Sequence, residues 1–412
     1  MKDALLERFV RYARVGTQAV PDSPTFPSSP GQLELQRLLA EDLRAAGLQE
    51  VVLDDDGYLY ATVPATVEDA PTIGWIAHVD TAPDAPGDGV EPIVHRAYDG
   101  GRIELPRGGT VLDPEAMPQL RDVVGHDLVT SSGDTLLGAD DKAGVAAIVT
   151  AAAELVATGA PRPRVRVCFT PDEEIGLGAS RFDVEGFGAV CAYTVDGSEP
   201  PYLSDETFHA VELRLVVRGH DVHPGYATGV LVHAGRLAAK VVAALPDDVT
   251  PERTGGREGF VHVTQAELTA ARAEVRMIVR AFDEDEVAAL VAMVRRIAAD
   301  HVPAERLEVE ERFQYPNMRR FVDAFPEVTA AAEAAYRAAG LEPVREPIRG
   351  GTDGSGLSAR GLPTPNLFDG GREFHSVREW ASLDDMALAA RVLVELAAVW
   401  TQEPFRSAVA EG

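Results

Sequence analysis

Five places along the chain carry side chains whose types suit metal-assisted hydrolysis. They are His78-Val79-Asp80, residues 138–142, Pro171-Asp172-Glu173-Glu174, Val195-Asp196-Gly197 and, far downstream, His375. Imidazole nitrogens and carboxylate oxygens are ligands with which proteins hold zinc at catalytic sites. Two neighbouring metal ions can activate a water molecule and stabilise the charge that develops during hydrolysis. The set therefore predicts a hydrolytic site with two metal ions.

The first motif follows an apolar run at residues 72–77 that predicts a buried strand. His78 and Asp80 are two residues apart, so in extended backbone their side chains point to the same face. His78 can then bind a metal ion while Asp80 accepts the proton on its other ring nitrogen. The alternative is an ordinary histidine and a solvated aspartate at a strand end.

Asp140 lies where a loop meets a helix predicted to run to about residue 158. With small residues around it, two cations can approach its carboxylate and be bridged by its two oxygens. The alternative is that Asp140 or Asp141 caps the helix.

Three adjacent acids follow a second predicted strand at residues 165–170. Neighbouring carboxylates repel one another unless a cation compensates them. One glutamate can bind metal while the other acts as the general base toward water; the alternative is a helix start decorated with acids. Asp196 again ends an apolar run, and ligands gathered at the carboxyl ends of strands are typical of α/β sheets. His375 becomes a candidate only because this set lacks a second imidazole.

The order of predicted elements divides the chain into two domains. Strands and helices alternate up to about residue 206, including a helix at residues 32–46, which predicts an α/β domain with a mixed sheet. Residues 211–217 then alternate as in a half-buried strand, followed by a helix (230–245), two strands (260–268 and 274–282), a helix (285–299) and a strand (307–313). That order is typical of a ferredoxin-like α+β unit. We expect a catalytic domain at 1–206 plus 319–412, interrupted by an inserted lid domain at 207–318.

The chain resembles the co-catalytic two-zinc peptidases, a superfamily that includes carboxypeptidase G and succinyl-diaminopimelate desuccinylase, and within it the peptidase T family of tripeptide aminopeptidases. The stretches that carry the resemblance span nearly the whole sequence. They lie at residues 5–9, 76–81, 135–144, 169–174, 192–197, 222–225, 278–280, 317–319, 347–354 and 365–368.

The resemblance implies a role for each candidate. His78 and Asp196 would hold one Zn²⁺, Glu174 and His375 the other, and Asp140 would bridge both, with Mn²⁺ or Co²⁺ as substitutes. It also implies that Asp80 orients His78, that Glu173 is the general base, and that the peptide bond between Asp140 and Asp141 is cis.

The remaining candidates concern the substrate. His223 is expected to donate a hydrogen bond to the oxyanion, and Arg280 to bind a peptide carboxylate; otherwise they are a surface-loop histidine and an exposed strand arginine. Residues 350–354 form a glycine-rich turn through which backbone can approach the substrate, with no helix expected close behind it. The further candidate pocket residues are Asn317, Arg349 and Asp353.

Composition limits the partners. A net charge of −28 argues against nucleic acid or an anionic membrane surface. The N-terminal residues form an amphipathic pattern without the apolar core of a signal peptide. Cys168 and Cys191 lie in apolar strands, as buried reduced thiols do. We therefore expect a cytoplasmic protein. The resemblance implies that its substrates are short peptides with a free N-terminus, and homodimer formation is left open.

The activity that the resemblance implies is removal of the N-terminal residue from tripeptides by a metal-activated water. Two alternatives stay open at this point: a sister two-zinc amidohydrolase, such as a dipeptidase, carboxypeptidase or deacylase, and a peptide-binding protein without catalysis.

Overall fold

A computed structural model describes residues 1–408 of the chain. Ten α-helices lie within these residues: α1 Lys2–Ala13, α2 Pro30–Ala45, α3 Ala139–Thr158, α4 Val184–Phe187, α5 Ala234–Ala243, α6 Glu284–His301, α7 Arg319–Val322, α8 Glu327–Ala338, α9 Asp353–Ala359 and α10 Leu383–Val399. Among residues 1–408, no helix combines the length and the apolar character needed to cross a membrane.

Eighteen strands lie within the same residues: β1 Gln49–Leu53, β2 Leu59–Val63, β3 Ile73–His78, β4 Ile93–His95, β5 Ile103–Glu104, β6 Val111–Leu112, β7 Leu128–Thr130, β8 Val165–Thr170, β9 Cys191–Gly197, β10 Tyr202–Ser204, β11 His209–Arg218, β12 Phe260–Leu268, β13 Arg272–Ala281, β14 Leu307–Tyr315, β15 Val344–Arg345, β16 Asn366–Phe368, β17 Gly371–Arg372 and β18 Trp380–Ser382.

The chain forms two compact units. Among the described residues, the first comprises Met1–Asp205, Met318–Glu346 and residues 352–408, and the second comprises Glu206–Asn317 and Pro347–Gly351. The short second segment of the second unit is held there by a bridge between Thr207 and Ile348.

A mixed eight-stranded sheet organises the first unit, in the order β1-β2-β8-β3-β9-β16-β10-β15. Its central strands β8, β3, β9 and β16 run parallel to one another. Strands β3 and β8 are buried along nearly their whole length, as expected for central strands of a sheet whose two faces are both covered. The predicted α/β class with a mixed sheet is confirmed.

Helix α3 packs on one face of this sheet against β3 and β9, and helices α1 and α10 pack against α3, which encloses the main core. Helix α3 is rich in small residues, and at its start Gly144 lies against the backbone of β9. A Cβ atom on Gly144 would come within 1.8 Å of the carbonyl oxygen of Val195. Only glycine therefore allows the start of α3 to approach the strand that carries Asp196.

The parallel register brings the predicted functional motifs to one edge of the sheet. His78 pairs with Thr170, the residue before the Pro171 motif, and Ile76 pairs with Thr194, two residues before Asp196. Because parallel strands end on the same side, the side chains after β3, β8 and within the end of β9 lie close together.

The second unit is a four-stranded antiparallel sheet in the order β12-β13-β11-β14. Helices α5 and α6 pack on its apolar face. Together with the sequence order β11-α5-β12-β13-α6-β14, this is the predicted ferredoxin-like arrangement.

Two local predictions are wrong. The helix expected from residue 230 begins at Ala234, because His233 caps it by accepting the Arg236 N–H at 3.3 Å while Val232 pairs with His220. The glycine-rich turn at residues 350–354 leads directly into helix α9, which Thr352 caps by accepting the Gly354 N–H at 3.1 Å. Both errors arise because a cap, and not hydrophobic periodicity, determines where these helices start.

One buried hydrogen-bond chain allows a test of the first unit. The Tyr193 hydroxyl donates to the carbonyl of Val328 at 2.8 Å and accepts from the indole N–H of Trp400 at 3.0 Å. Tyr193→Phe removes both hydrogen bonds and leaves the buried indole N–H of Trp400 without its acceptor, so we expect the free energy of unfolding to fall by about 1–3 kcal/mol. Urea unfolding followed by tryptophan fluorescence reports on this unit, because Trp75, Trp380 and Trp400 all lie in it.

The control is Tyr202→Phe, since the Tyr202 side chain makes no hydrogen bond to any residue within 1–408. An equal loss of stability in both variants would contradict the role assigned to the Tyr193 hydroxyl.

Candidate metal centre

Asp140 lies between two imidazoles. Its Oδ1 is 2.9 Å from Nε2 of His78, and its Oδ2 is 3.3 Å from Nε2 of His375. The two histidines are far apart in sequence and come from the end of β3 and from the loop before β18. One carboxylate thus presents a separate oxygen to each ring, which is the geometry that a bridging ligand requires.

Each imidazole has one further carboxylate beside it. Asp196 Oδ1 lies 3.4 Å from His78 Nε2, and Glu174 Oε2 lies 3.0 Å from His375 Nε2. The other oxygen of Glu174, Oε1, is buried and has no hydrogen-bond partner among the described residues. Buried carboxylate oxygens are normally satisfied, so this one indicates room for a cation. The structure thus brings together all five predicted ligands, in the pairs that the resemblance implies.

The donor groups have strongly shifted pKa values. Burial by itself would lower the pKa of His78, but Asp196, Asp140 and Asp80 outweigh burial and raise this pKa well above its ordinary value. Burial would likewise lower the pKa of His375, yet its contacts with Asp140 and Glu174 raise it to about 11.

The pKa values of the acidic candidate ligands are shifted in both directions. Burial raises the pKa of Glu174 to about 8, with the charge of Asp140 adding to the effect and His375 opposing it. Burial also raises the pKa of Asp196 to about 6, against the stabilising charge of His78. Burial would raise the pKa of Asp140 as well, but its two histidine partners hold it far below the ordinary range. Without metal, the site therefore retains protons near neutral pH.

The Asp80 carboxylate contacts both the ring of His78 and the backbone of the acidic turn after β8. Its two oxygens accept the N–H groups of Glu173 and Glu174, each at 3.0 Å, and its side chain is fully buried. Its Oδ1 also lies 3.4 Å from His78 Nδ1, and its carbonyl oxygen lies 3.1 Å from the same nitrogen. Asp80 therefore links His78 to the acidic turn after β8. The two-residue spacing of His78 and Asp80 in the sequence did not predict this second role.

Asp141, and not Asp140, caps the regular part of α3, because the backbone at both residues is not yet helical. Asp141 accepts the Gly144 N–H at 3.1 Å and the His78 N–H at 3.2 Å. Both oxygens of Asp141 therefore accept backbone N–H groups. They also lie close enough to His78 and Asp196 that these three side chains together could hold a metal ion. The peptide bond between Asp140 and Asp141 is cis, as the resemblance implies.

Glu379 holds the loop that carries Asp140. Its buried carboxylate accepts the N–H groups of Leu137 and Gly138, each at 2.7 Å, and that of Asp140 at 3.0 Å. Burial raises the pKa of Glu379 to about 7, and the three N–H donors oppose that rise. The sequence analysis missed this role, because no local pattern distinguishes Glu379 from other acids near a helix.

Two more buried residues near the site were missed. Asp172 accepts the side-chain amide of Gln32 at 2.7 Å and the Ser28 N–H at 2.7 Å, while the Asp172 N–H donates to Gln32 at 3.1 Å. These bonds tie the acidic turn to the start of α2. Lys142 is fully buried and donates to the Val15 carbonyl at 2.8 Å; burial lowers its pKa to about 8.

The predicted base and one predicted pocket residue also lie in the first unit. Glu173 is half-buried, and burial raises its pKa well above the ordinary value, with His78 opposing the shift. Asp353 accepts the Thr170 hydroxyl at 2.6 Å, and burial raises its pKa to about 7. A Cβ on Gly178 would come within 2.1 Å of Asp353, so the chain has to be glycine where it passes this carboxylate.

The other four candidates lie in the second unit. His223 is exposed, and its Nδ1 accepts the Gly225 N–H at 3.1 Å. Arg280 is buried, so the alternative that it is merely an exposed arginine on a strand is wrong. It donates to Gln314 at 2.7 Å and to two backbone carbonyls, and no carboxylate within residues 1–408 forms an ion pair with it.

Asn317 and Arg349 are tied to their own unit. The Asn317 amide donates to Glu206 at 3.3 Å and to the Phe282 carbonyl at 3.1 Å. The Arg349 guanidinium donates to the carbonyls of residues 256 and 258, both at 2.8 Å.

A mixed α/β unit with two imidazoles and several carboxylates at the carboxyl ends of its strands is typical of metal-dependent hydrolases. Residues 134–399 match the model of peptidase family M20/M25/M40. The chain belongs to this family and is therefore a peptidase.

Similar proteins span the whole chain. Peptidase T of Geobacillus kaustophilus is 44% identical over 409 residues, which covers 98% of this chain and 100% of that protein. Among solved structures, aminopeptidase PepT of Bacillus cereus aligns with a TM-score of 0.73 at 22% identity, covering 98% of this chain and 99% of the other. A tripeptidase of Staphylococcus aureus aligns with a TM-score of 0.76 at 20% identity, with the same coverage.

The shifted pKa values predict that metal binding releases protons. At pH 7 the raised pKa values of His78, His375 and Glu174 keep protons on the metal-free site, and metal must displace them. We expect a net release on the order of one to three protons per chain. Isothermal titration calorimetry of metal-free protein with Zn²⁺, repeated in buffers of different ionisation enthalpy, measures this number.

The same pKa shifts determine whether the stability of the metal-free protein rises or falls with pH. Groups whose pKa is raised by folding bind more protons in the folded state, so the stability of the metal-free protein should fall as pH rises from about 5 to 8. Zero proton release, or stability that rises over this range, would contradict the protonated state assigned to the site.

Proposed function

We propose that this peptidase is a two-metal aminopeptidase that removes the N-terminal residue from tripeptides. The observation that carries the proposal is the position of Asp140, whose two oxygens face two different imidazoles. Each imidazole has its own additional carboxylate, Asp196 for His78 and Glu174 for His375. Such a symmetric donor set suits two cations better than one.

His78 and Asp196 would hold one metal ion, Glu174 and His375 the other, and Asp140 both. Nitrogen and carboxylate ligands favour Zn²⁺, with Mn²⁺ or Co²⁺ as substitutes. When bound, the two ions would supply Lewis-acid activation of water and of the scissile carbonyl. The unpaired Glu174 Oε1 supports this assignment, because a cation would satisfy it.

Glu173 would act as the general base. Glu173 follows Asp172 in a turn whose backbone is held by Asp80, because the Glu173 N–H donates to the Asp80 carboxylate. Burial raises the pKa of Glu173, so its carboxylate accepts a proton readily. It would take a proton from water and return it to the leaving amine. Asp80 would keep His78 in the tautomer that presents Nε2 to the metal.

The second unit would supply the substrate contacts expected from the resemblance. We propose that His223 donates a hydrogen bond to the oxyanion and that Arg280 binds the peptide carboxylate. The buried Arg280 guanidinium supports the second role, because its partners in the described residues are all uncharged. For Asn317 and Arg349 the contacts within their own unit favour a structural role, and their part in substrate binding remains a prediction.

Specificity for tripeptides with a free amine follows from the family likeness. The relatives reported above bear the names peptidase T, aminopeptidase and tripeptidase. We propose the same substrate class for this chain. We also propose that the inserted domain has the role of a lid domain and that the enzyme is cytoplasmic.

The role of Glu173 can be tested by one substitution. Glu173→Gln keeps the size of the side chain but cannot accept the proton, so we expect kcat to fall by about 10²–10⁴-fold. Metal content, measured by atomic emission after gel filtration, should stay at the wild-type level. Loss of metal from this variant would overturn the base assignment in favour of ligation.

Glu185→Gln is the matched control, because Glu185 is exposed on α4 and the same charge is removed. Its kcat should equal that of the wild type.

Substrate specificity requires a separate measurement. Initial rates are compared for Leu-Gly-Gly, Leu-Gly, a tetrapeptide and N-acetylated Leu-Gly-Gly, with zinc-loaded and chelated protein. We expect cleavage of the free tripeptide only, and its loss on chelation. Preference for the dipeptide or the blocked peptide would assign a sister amidohydrolase activity, and absence of hydrolysis would favour a binding protein.

A further inference from the structure

Asp84 lies beside the second histidine of the candidate metal centre. Its Oδ2 is 3.4 Å from Nδ1 of His375. The other ring nitrogen, Nε2, faces Asp140 and Glu174. Asp84 belongs to the loop that follows β3, whereas His375 lies almost 300 residues later. Within residues 1–408, no other ion-pair or hydrogen-bond partner of His375 Nδ1 is found.

The arrangement repeats that of the first histidine. His78 Nδ1 lies at the same distance, 3.4 Å, from a carboxylate oxygen of Asp80, and its Nε2 also faces Asp140. Asp80 and Asp84 are four residues apart on one loop. A single loop thus provides the outer carboxylate for both imidazoles.

We propose that Asp84 is a positioning residue that fixes the ring orientation and tautomer of His375, and thereby determines how tightly the metal ion at that histidine is held. A carboxylate that accepts the Nδ1 proton leaves Nε2 unprotonated and directed at the metal. The inference rests on the proposed two-metal function, since it concerns one of its two sites.

The surroundings of His375 restrain its ring less than those of His78 do. His375 has φ 60° and Glu373 has φ 56°, so two non-glycine residues of this loop lie in the left-handed region. The His375 side chain is 45% exposed, whereas that of His78 is 2% exposed. Packing therefore encloses the second ring less than the first, which leaves a larger share of its orientation to Asp84.

The loop itself is anchored without the Asp84 side chain. The Gln18 side chain donates to the carbonyls of Ala82 at 3.0 Å and Ala85 at 2.6 Å, on either side of Asp84. The Leu136 N–H donates to the Pro86 carbonyl at 2.9 Å. Because Asp84 is itself 61% exposed, its replacement should remove the contact with His375 and leave the loop in place.

The test is the affinity of each metal site in Asp84→Ala. Metal-free protein is titrated with Zn²⁺ against a chelating indicator, and the two dissociation constants are fitted separately. We expect the Kd of one equivalent to rise by about 10–100-fold and the other to stay unchanged. Activity should fall at limiting Zn²⁺ and be recovered by excess Zn²⁺, without a change in KM. Asp84→Glu should restore part of the affinity, because it can still accept the Nδ1 proton.

Asp55→Ala is the matched control, since Asp55 is exposed in the first unit and loses the same charge. Wild-type affinities at both sites in Asp84→Ala, or an equal loss at both, would overturn the positioning role. If wild-type protein bound fewer than two equivalents of Zn²⁺, the proposed two-metal function would fail with it. Two equivalents in the wild type together with an unaffected variant would reject Asp84 alone.

Discussion

Mutual repulsion of buried carboxylates is the constraint on which the first unit depends. Acidic side chains from three strand ends converge around two histidines, and several of them are fully buried. Such a cluster is tolerated only if fixed positive partners or hydrogen-bond donors compensate it. Backbone N–H groups meet part of this need: Asp80, Asp141 and Glu379 all accept main-chain donors. The unpaired oxygen of Glu174 shows that these donors do not satisfy every carboxylate, and the remaining need is what a metal ion would meet.

The same acceptor–donor contacts also set the geometry of the site. The two oxygens of Asp80 hold the turn that carries Glu173 and Glu174, and Glu379 holds the turn that carries Asp140. The side chains that would bind metal therefore sit on loops whose backbone is held by buried carboxylates, as precise ligand placement requires. Gly144 contributes by letting α3 approach β9 closely. Stability and function of this unit thus depend on the same contacts.

The two halves of the candidate centre differ in their surroundings. His78 is enclosed at the end of a central strand, and its outer carboxylate, Asp80, is itself anchored by two backbone donors. His375 lies on an irregular loop and is partly exposed, as is its neighbour Asp84. A ligand on an exposed loop costs conformational entropy when it is ordered, whereas one at the end of a buried strand is ordered by folding. The physical environments of the two imidazoles are therefore unequal, although their immediate donor atoms are alike.

Local sequence patterns alone predicted the α/β class, the ferredoxin-like element order and the candidate metal-binding side chains other than His375, because strand ends, residue spacing and ligand types are all visible over a few residues. His375 became a candidate only because the set lacked a second imidazole. Local patterns could not predict which groups hold those side chains in place. Glu379 contacts Asp140 across 239 positions of sequence, and Gln32 contacts Asp172 across 140. Helix α9 and the start of α5 were also misjudged, since a single capping hydrogen bond decides them. Contacts of this kind exist only once the sheet has brought distant segments together, so tertiary structure alone decided them.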